Sequence, residues 1–284
     1  MRNILEMIAK LAALTKLSRR LVLEKEENMN NILTITNLSK KYKGNERYSV
    51  KDLSFEVKEG ELFAFLGPNG AGKSTTIKCI TGALPYTEGN IKICGHDLHE
   101  NPIEAKRNIG YVPDNHFTYD TMTALEYINF MSDIYGVGVN DRKSRGDKYL
   151  ELFGLADVSG KPIGSYSHGM KQKICVIGAL IHNPKLWILD EPLTGLDPQS
   201  AYNLKELMRE HCKEGNSVLF SSHIIEVVEK LCDRLAIIDK GSLLISGSMD
   251  EIRAKNDDNS LEEFFLSVTQ GETLAEGEKE DFKF

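Results

Sequence analysis

The sequence predicts an α/β fold built around a mostly parallel β-sheet. Short apolar strands alternate along the chain with longer segments of helical periodicity, and continuously apolar strands are typical of sheets covered on both faces. The composition, 41% hydrophobic and 27% charged over 284 residues, is ordinary for a globular chain with a sizeable core. Disordered, collagen-like and coiled-coil chains are excluded, and the length allows one large domain or two small ones.

Eight segments are predicted as strands because they are apolar or alternate between apolar and polar residues. They are residues 32–38, 53–57, 62–66, 91–94, 109–112, 186–190, 218–221 and 235–238. Helical periodicity predicts helices over 73–82, 123–135, 145–153, 169–181, 198–212 and 224–231. From about residue 114 to 178 helices occur without a convincing strand, so we predict a helical subdomain inserted in the α/β core.

The two ends of the chain differ from its middle. Residues 1–28 include five basic residues and one acidic residue between Arg2 and Arg20, with apolar residues near helical spacing. This basic amphipathic helix either contacts a membrane or partner helix, or is a dispensable extension. The main domain is predicted over 29–250 and a C-terminal segment over 251–284, whose acidic end is expected to be frayed and flexible.

Charge and hydropathy narrow the function classes. The net charge of −7 disfavours non-specific binding to nucleic acid, and no apolar run is long enough to span a membrane. The five cysteines are dispersed without metal-binding spacing, and no secretory signal is recognisable. The sequence therefore predicts a cytosolic chain with reduced thiols and no transmembrane segment of its own.

A glycine-rich segment after the predicted strand 62–66 matches the pattern GxxxxGK[ST] and precedes a helix. Glycines let backbone N–H groups converge on a phosphate chain, and the helix N-terminus adds a partial positive charge. Lys73 is predicted to bind the β- and γ-phosphates, Ser74 to ligate Mg²⁺, and Thr75 to reach the α-phosphate. The candidate phosphate-loop residues are Gly67, Pro68, Asn69, Gly70, Ala71, Gly72, Lys73, Ser74 and Thr75.

Two carboxylates, Asp190 and Glu191, follow the apolar strand predicted over 186–190. Chemistry in α/β folds collects at the carboxyl ends of the strands. We therefore expect Asp190 to hold Mg²⁺ through water, and Glu191 to orient and deprotonate the attacking water.

Four further motifs resemble those of one family, the ATP-binding cassette (ABC) proteins. Residues 167–172, Ser-His-Gly-Met-Lys-Gln, resemble the family signature, and residues 195–197, Gly-Leu-Asp, resemble its D-loop. His223, in Ser-Ser-His, resembles the switch histidine, and Tyr42 occupies the position of an aromatic residue that stacks on adenine. The resemblance covers about residues 31–250, with the motifs in the family's order.

The signature also has a physical interpretation of its own. Ser167 is a good N-cap, and the N–H groups near Gly169 together with the helix dipole make a second anion site. This site is separated from Lys73 by the predicted helical subdomain. In the family it contacts the γ-phosphate bound by the opposite subunit, so the resemblance implies a dimer packed head to tail over two ATP molecules.

The resemblance implies further features of fold and site. They are a P-loop NTPase (RecA-like) core, an antiparallel β subdomain and the inserted α-helical subdomain. His223 is expected to hydrogen-bond the γ-phosphate, and Asp197 to align Glu191 with the signature across the dimer.

Two motifs depart from the family pattern. Asp114 stands where a glutamine is usual; its carboxylate can approach Mg²⁺ or its water but cannot donate a hydrogen bond. His168 and Met170 replace a glycine and a glutamine of the signature, while Ser167 and Gly169 remain. These variants, and residues 261–266, resemble the cassettes that serve ABC-2-type exporters.

The predicted function is that of an ATP-binding and ATP-hydrolysing transporter subunit. It uses ATP and Mg²⁺, pairs with a second ABC subunit as homodimer or heterodimer, and drives a separate transmembrane permease from the inner face of the cell membrane. The resemblance implies that this permease is an exporter. The expected docking surface is the groove beside Asp114 and the helices up to Tyr135. The alternative is a non-transport ABC ATPase that acts on ribosomes or DNA. The transported substrate is not predicted.

Overall fold

The computed structural model describes residues 31–115, 119–255 and 260–270. The basic extension predicted over 1–28 lies outside the described residues, as does the acidic tail after residue 270. The elements below are numbered in chain order within the described part of the chain.

Six strands form the main sheet. They are β3 (Leu62–Leu66), β6 (Ile109–Val112), β7 (Leu186–Leu189), β8 (Ser217–Ser222), β9 (Arg234–Asp239) and β10 (Ser242–Ser248). Their order across the sheet is β10-β9-β3-β8-β7-β6. The neighbouring pairs from β9 to β6 are parallel, and β10 is antiparallel to β9 at one edge. The predicted mostly parallel sheet is thus confirmed, and β10 is a strand that the sequence pattern did not reveal.

A second sheet holds the other four strands. They are β1 (Asn31–Lys40), β2 (Val50–Lys58), β4 (Glu88–Ile93) and β5 (His96–Asp97), in the order β2-β1-β4-β5. The pairs β1–β4 and β4–β5 are antiparallel. The antiparallel sheet implied by the resemblance is therefore present.

Nine helices are described in this part of the chain. They are α1 (Lys73–Ile80), α2 (Pro102–Arg107), α3 (Ala124–Tyr135), α4 (Val139–Leu152), α5 (His168–Leu180), α6 (Pro198–Lys213), α7 (Ile225–Leu231), α8 (Met249–Lys255) and α9 (Leu261–Gln270). The helices between β6 and β7 are α3, α4 and α5, where the helical insertion was predicted. Helix α4 begins at Val139, whereas the sequence predicted a start at residue 145. The predicted start was late because the first turns of α4 are mostly polar and exposed and so lack apolar periodicity. None of the described helices combines the length and apolar character needed to cross a membrane.

The main sheet is buried on both faces. Along β3, Leu62, Ala64 and Leu66 belong to an apolar cluster that includes residues of α3, α5 and α6. The alternate residues Phe63 and Phe65 belong to a second cluster shared with α1 and the antiparallel sheet. This alternation is the period of two expected for a strand, and it fixes β3 between two layers. The loops that leave the carboxyl ends of β3, β7 and β8 are held by this rigid core.

Candidate functional site

The loop between β3 and α1 is closely packed around its glycines. A Cβ at Gly67 would lie 2.4 Å from the carbonyl oxygen of Ile238, and one at Gly72 would lie 2.8 Å from that of Ser49. Gly72 is also the N-cap of α1, with a φ of 111° that side chains rarely adopt. These two positions require glycine, and the curled backbone directs the N-terminus of α1 toward one cleft.

The cleft beside this loop has a volume of about 460 Å³. Its lining residues are Arg47, Tyr48, Ser49, Pro68, Asn69, Gly70, Gly72, Lys73, Ser74, Thr75, Asp114, Glu191, Lys240 and Gly241. Most of the predicted phosphate loop therefore lines a single space with the predicted acidic residues Asp114 and Glu191. Of the remaining loop residues, Gly67 accepts a hydrogen bond from Lys73 through its carbonyl oxygen, and Ala71 is buried against the core.

The side chain of Lys73 hydrogen-bonds the loop that precedes it. Its Nζ donates to the carbonyl oxygen of Gly67 at 2.7 Å and of Pro68 at 3.3 Å. The same Nζ lies 3.3 Å from Oε1 of Glu191, and the Lys73 side chain is only 6% exposed. This buried ion pair joins the β3–α1 loop to the end of β7.

Glu191 follows β7 and contacts residues of α1, of β8 and of the segment after β8. Its Oε2 lies 2.9 Å from Nδ1 of His223, which follows β8 and is 44% exposed. Its backbone N–H donates to Oγ of Ser221 at 2.9 Å, and its φ is 50°, in the left-handed region. The predicted catalytic residues Lys73, Glu191 and His223 are thus in one contiguous set of contacts.

Asp190 and Ser74 form the candidate cation site. Asp190 is 1% exposed, and its Oδ1 accepts a hydrogen bond from Oγ of Ser221 at 2.7 Å. Burial raises the pKa of Asp190, and hydrogen bonds from Ser221 and Ser74 oppose that rise. The nearby carboxylates of Asp114 and Glu191 raise this pKa further. A hydroxyl and clustered carboxylates are the hard oxygen donors that Mg²⁺ prefers, so these residues fit the ion.

Tyr42 lies next to the cleft, and Tyr48 lies in it. The Tyr42 hydroxyl is 3.5 Å from Oγ1 of Thr75, and its side chain is 38% exposed. Tyr42 is not among the residues that line the cleft, whereas Tyr48 lines it together with Arg47 and Ser49. Stacking of adenine on Tyr42 therefore stays a prediction.

The signature residues lie at the start of α5. Ser167 is the N-cap of this helix, as predicted, and its Oγ accepts from the N–H of Met170 at 3.3 Å. A Cβ at Gly169 would lie 3.1 Å from the carbonyl oxygen of Gly195, so the signature packs on the D-loop. Ser167 and Gly169 are not in the lining described for the cleft.

Asp197 acts locally as the N-cap of α6. It accepts from the N–H of Ser200 at 2.9 Å and from the Ser200 hydroxyl at 2.6 Å. It also pairs with Lys173 of α5 at 2.9 Å. The hydrogen bonds from Ser200 and the Lys173 ammonium hold the pKa of Asp197 well below its usual range. The predicted alignment across a dimer stays a prediction.

Sequence reasoning missed several residues of the site. Arg47, Tyr48 and Lys240 line the cleft but belong to no motif that was recognised. Ser221 was quoted only as part of the motif before His223, although it contacts both acidic residues. Gln172 was also quoted only within the signature; it is buried in α5 and donates to the carbonyl oxygen of Pro192 at 2.6 Å. No local signal identifies Ser221, because its contacts depend on β8 lying beside β7 in the sheet.

The fold and the site together define a P-loop nucleoside triphosphatase. A strand, a glycine-rich loop and a helix N-terminus form the phosphate cleft, and Glu191, from the acidic pair at the end of β7, lines it. The relatives of the chain then specify which branch of that class it represents.

The chain belongs to the ABC transporter family, whose pattern matches residues 50–194. The linearmycin resistance ATP-binding protein LnrL of Bacillus subtilis (strain 168) is 40% identical over 221 residues, or 78% of this chain and 70% of the relative. The bacitracin transport ATP-binding protein BcrA of Bacillus licheniformis is 38% identical over 229 residues, or 80% of this chain and 73% of the relative. A solved structure of an ATP-binding subunit of an ABC transporter matches with a TM-score of 0.79 at 33% identity, and covers 84% of this chain and 99% of that one.

These findings confirm the predicted family, with homologues among the ABC-2-type exporter ATPases, and the predicted P-loop NTPase fold. The chain is an ATP-binding and ATP-hydrolysing subunit of an ABC transporter.

Proposed function

We propose that this subunit hydrolyses ATP with Mg²⁺ and drives export through a separate membrane permease. The observation that carries the proposal is the convergence of Lys73, Glu191 and His223 beside a cleft lined by the phosphate loop. Phosphoryl transfer depends mainly on positioning and on electrostatic stabilisation, and these residues supply both.

Lys73 and the N-terminus of α1 bind the β- and γ-phosphates. The Lys73 Nζ lies 3.3 Å from Glu191, so a γ-phosphate held by Lys73 lies beside that carboxylate. Glu191 orients the attacking water and accepts its proton. His223 contacts the same carboxylate at 2.9 Å. In this proposal His223 also hydrogen-bonds the γ-phosphate.

Ser74, Asp190 and Asp114 would hold Mg²⁺. When bound, Mg²⁺ neutralises charge on the β- and γ-phosphate oxygens. Asp190 is rigidly held by Ser221, so the chain presents its carboxylate in one orientation. Asp114 lines the cleft and contributes the negative charge that a glutamine at this position lacks.

Ser167 and Gly169 serve the ATP bound by a second ABC subunit. Ser167 caps α5 and is exposed at its N-terminus, where backbone N–H groups favour an anion. Asp197 pairs with Lys173 of α5, which links the D-loop to the helix that begins at the signature. The second subunit is an identical copy or a related chain.

The permease contacts the surface around α3. Tyr119, Leu125 and Ile134 are large apolar residues there whose side chains are 45–59% exposed. The names of LnrL and BcrA associate those relatives with resistance and with bacitracin transport, and this supports export for the present chain. Bound to such a permease, the subunit is peripheral on the cytoplasmic face of the membrane.

The catalytic assignment is tested with Lys73→Ala and Glu191→Gln. Lys73→Ala should weaken ATP binding, because it removes the cation that meets the phosphates. Glu191→Gln should bind ATP normally but lower kcat by a factor on the order of 10²–10⁴, which is the range for general-base catalysis. Equilibrium binding of ATP and steady-state release of phosphate measure the two effects.

Two exposed residues outside the cleft provide matched controls. Lys92→Ala on β4 and Glu226→Gln on α7 make the same chemical changes and should leave both measurements unchanged. Full hydrolysis by Glu191→Gln would remove the general-base assignment.

The transport assignment is tested by partner identity. The full chain, tagged at its C-terminus, is purified from native membranes in mild detergent, and copurifying proteins are identified by mass. A polytopic membrane protein that stimulates ATP hydrolysis is the expected result. Ribosomal or DNA-repair proteins without a membrane partner would leave the ATPase chemistry intact and contradict the transport proposal.

A further inference from the structure

Ser221, at the carboxyl end of β8, hydrogen-bonds both residues of the acidic pair. Its Oγ donates to Oδ1 of Asp190 at 2.7 Å and accepts the backbone N–H of Glu191 at 2.9 Å. The side chain is 0% exposed, and Ser221 is not among the residues described as lining the cleft. It therefore acts on bound ATP only through its two neighbours.

The direction of both hydrogen bonds follows from the chemistry of a hydroxyl. A serine hydroxyl has one proton and two lone pairs. Its proton is committed to the Asp190 carboxylate, which can only accept, and a lone pair is left for the Glu191 N–H. Alanine or valine at this position can replace neither bond, so the two contacts require a hydroxyl.

The contact with Glu191 supports an unfavourable backbone conformation. The φ of Glu191 is 50°, a region that residues with a side chain seldom adopt and that persists only where surrounding contacts enforce it. The hydrogen bond from its N–H to Ser221 is one of those contacts. His223, two residues after Ser221, holds the carboxylate of the same residue at 2.9 Å. The end of β8 thus fixes both the backbone and the carboxylate of Glu191.

We propose that Ser221 is a positioning residue for ATP hydrolysis: one buried hydroxyl sets the proposed Mg²⁺ ligand Asp190 and the proposed base Glu191 relative to each other. The inference rests on the roles proposed above for those two residues. It adds a residue that touches neither ATP nor metal and that determines how accurately the two acids are aligned.

Ser221→Ala tests this role in the full chain. The expected result is a kcat lowered about 10- to 100-fold, as for removal of an outer partner of a metal ligand. The KM for ATP should stay unchanged, because the phosphate loop is intact. The Mg²⁺ concentration for half-maximal hydrolysis should rise, since Asp190 is no longer held. Ser221→Thr retains the hydroxyl and should restore most of the lost kcat.

Ser217→Ala is the matched control on the same strand. Ser217 is also 0% exposed, and its hydroxyl donates to the carbonyl oxygen of Lys58 at 2.8 Å, at the opposite end of β8. This variant loses a buried hydrogen bond of the same kind, so it measures the effect of a weaker fold alone. Its kcat and its Mg²⁺ dependence should equal those of the wild type, and urea unfolding should show comparable stability for the two alanine variants.

Two results would overturn the positioning role. One is a wild-type kcat and Mg²⁺ dependence for folded Ser221→Ala while Glu191→Gln is inactive. The other is an equal loss of kcat in Ser221→Ala and Ser217→Ala, which would reduce Ser221 to a structural residue. A failure of the proposed function gives a different pattern, because Glu191→Gln would then hydrolyse ATP at the wild-type rate.

Discussion

At the sheet–helix interface His211 is buried and His182 is partly buried, and neither lines the phosphate cleft. The His182 ring stacks on Tyr135 with 3.6 Å between ring centroids, and its Nε2 lies 3.0 Å from the carbonyl oxygen of Ile109. The His211 ring packs edge-on against Trp187 at 5.7 Å. Burial lowers the pKa of each from 6.5 to about 4, and their positively charged neighbours Arg145 and Lys185 act in the same direction. Both imidazoles are therefore neutral at neutral pH.

These two histidines should make the fold less stable in mild acid. As the pH falls from 6.5 toward 4, the unfolded chain binds protons at these positions and the folded chain does not. The free energy of unfolding should therefore decrease, by on the order of 1–2 kcal/mol for each histidine between pH 7 and pH 5. Urea unfolding at the two pH values measures the decrease.

A phenylalanine at position 182 isolates the contribution of that histidine. His182→Phe can stack on Tyr135 but cannot bind a proton, so its stability should change less between pH 7 and pH 5 than that of the wild type. His99→Gln removes an exposed histidine and should leave the wild-type dependence unchanged. An identical pH dependence for His182→Phe and the wild type would contradict the assignment.

At the scale of elements, α5 approaches β6 so closely that only glycine fits between them. A Cβ at Gly110 would lie 2.3 Å from the carbonyl oxygen of Ala179 and 2.7 Å from Cγ of Pro184. Both contacts involve backbone or a rigid ring, which cannot move aside cheaply. Gly178 of α5 makes a similar approach to the ring of Tyr127 on α3, where a Cβ would lie 2.6 Å away. Small residues thus set the separation of these elements.

Gly110→Ala should destabilise the fold. The added methyl group must push α5 away from β6, and overpacking of this kind costs about 1–3 kcal/mol. The urea midpoint measures the loss. Gly160→Ala is the control, since a Cβ there would meet no atom of the described residues within 4 Å. Equal midpoints for the two variants would show that the β6–α5 contact yields without strain.

At the scale of the whole molecule, the phosphate cleft joins the two apolar clusters that flank the main sheet. Ile77 and Ile80 of α1 pack in one cluster, while Leu189 of β7 and Phe220 of β8 pack in the other. A ligand bound at the ends of these elements is therefore coupled to the packing of both layers. Its binding free energy should appear in the stability of the fold as a whole.

ATP with Mg²⁺ should raise the melting temperature of the chain. At a ligand concentration of 100 times Kd the gain is about 2.7 kcal/mol. For a domain of this size that corresponds to a rise of roughly 5–10 °C. Differential scanning calorimetry of Glu191→Gln, which should bind without turnover, measures the shift. Lys73→Ala at the same ligand concentration should show a much smaller rise, and an equal rise would contradict binding at the phosphate loop.

Local sequence was sufficient for much of the fold and for the phosphate loop. The strands that form β3, β6, β7, β8 and β9 are short apolar runs, and each was recognised without its neighbours. Ser167 was recognised as the N-cap of α5 because capping depends only on adjacent residues. Helices α2, α8 and α9 and strand β10 were missed, although Leu261, Phe264, Phe265 and Val268 of α9 recur at helical spacing.

Contacts between distant residues were decided only by the tertiary structure. In the chain the order is β3, β7, β8, but in the sheet β8 lies between β3 and β7. This order places Ser221 beside Asp190 and Glu191, and brings Lys73 within 3.3 Å of Glu191. The sequence by itself determined which residues carry the phosphate chemistry, because those motifs are contiguous. Which of them touch, and what holds them, depended on strand order and on packing across the sheet, which no local pattern encodes.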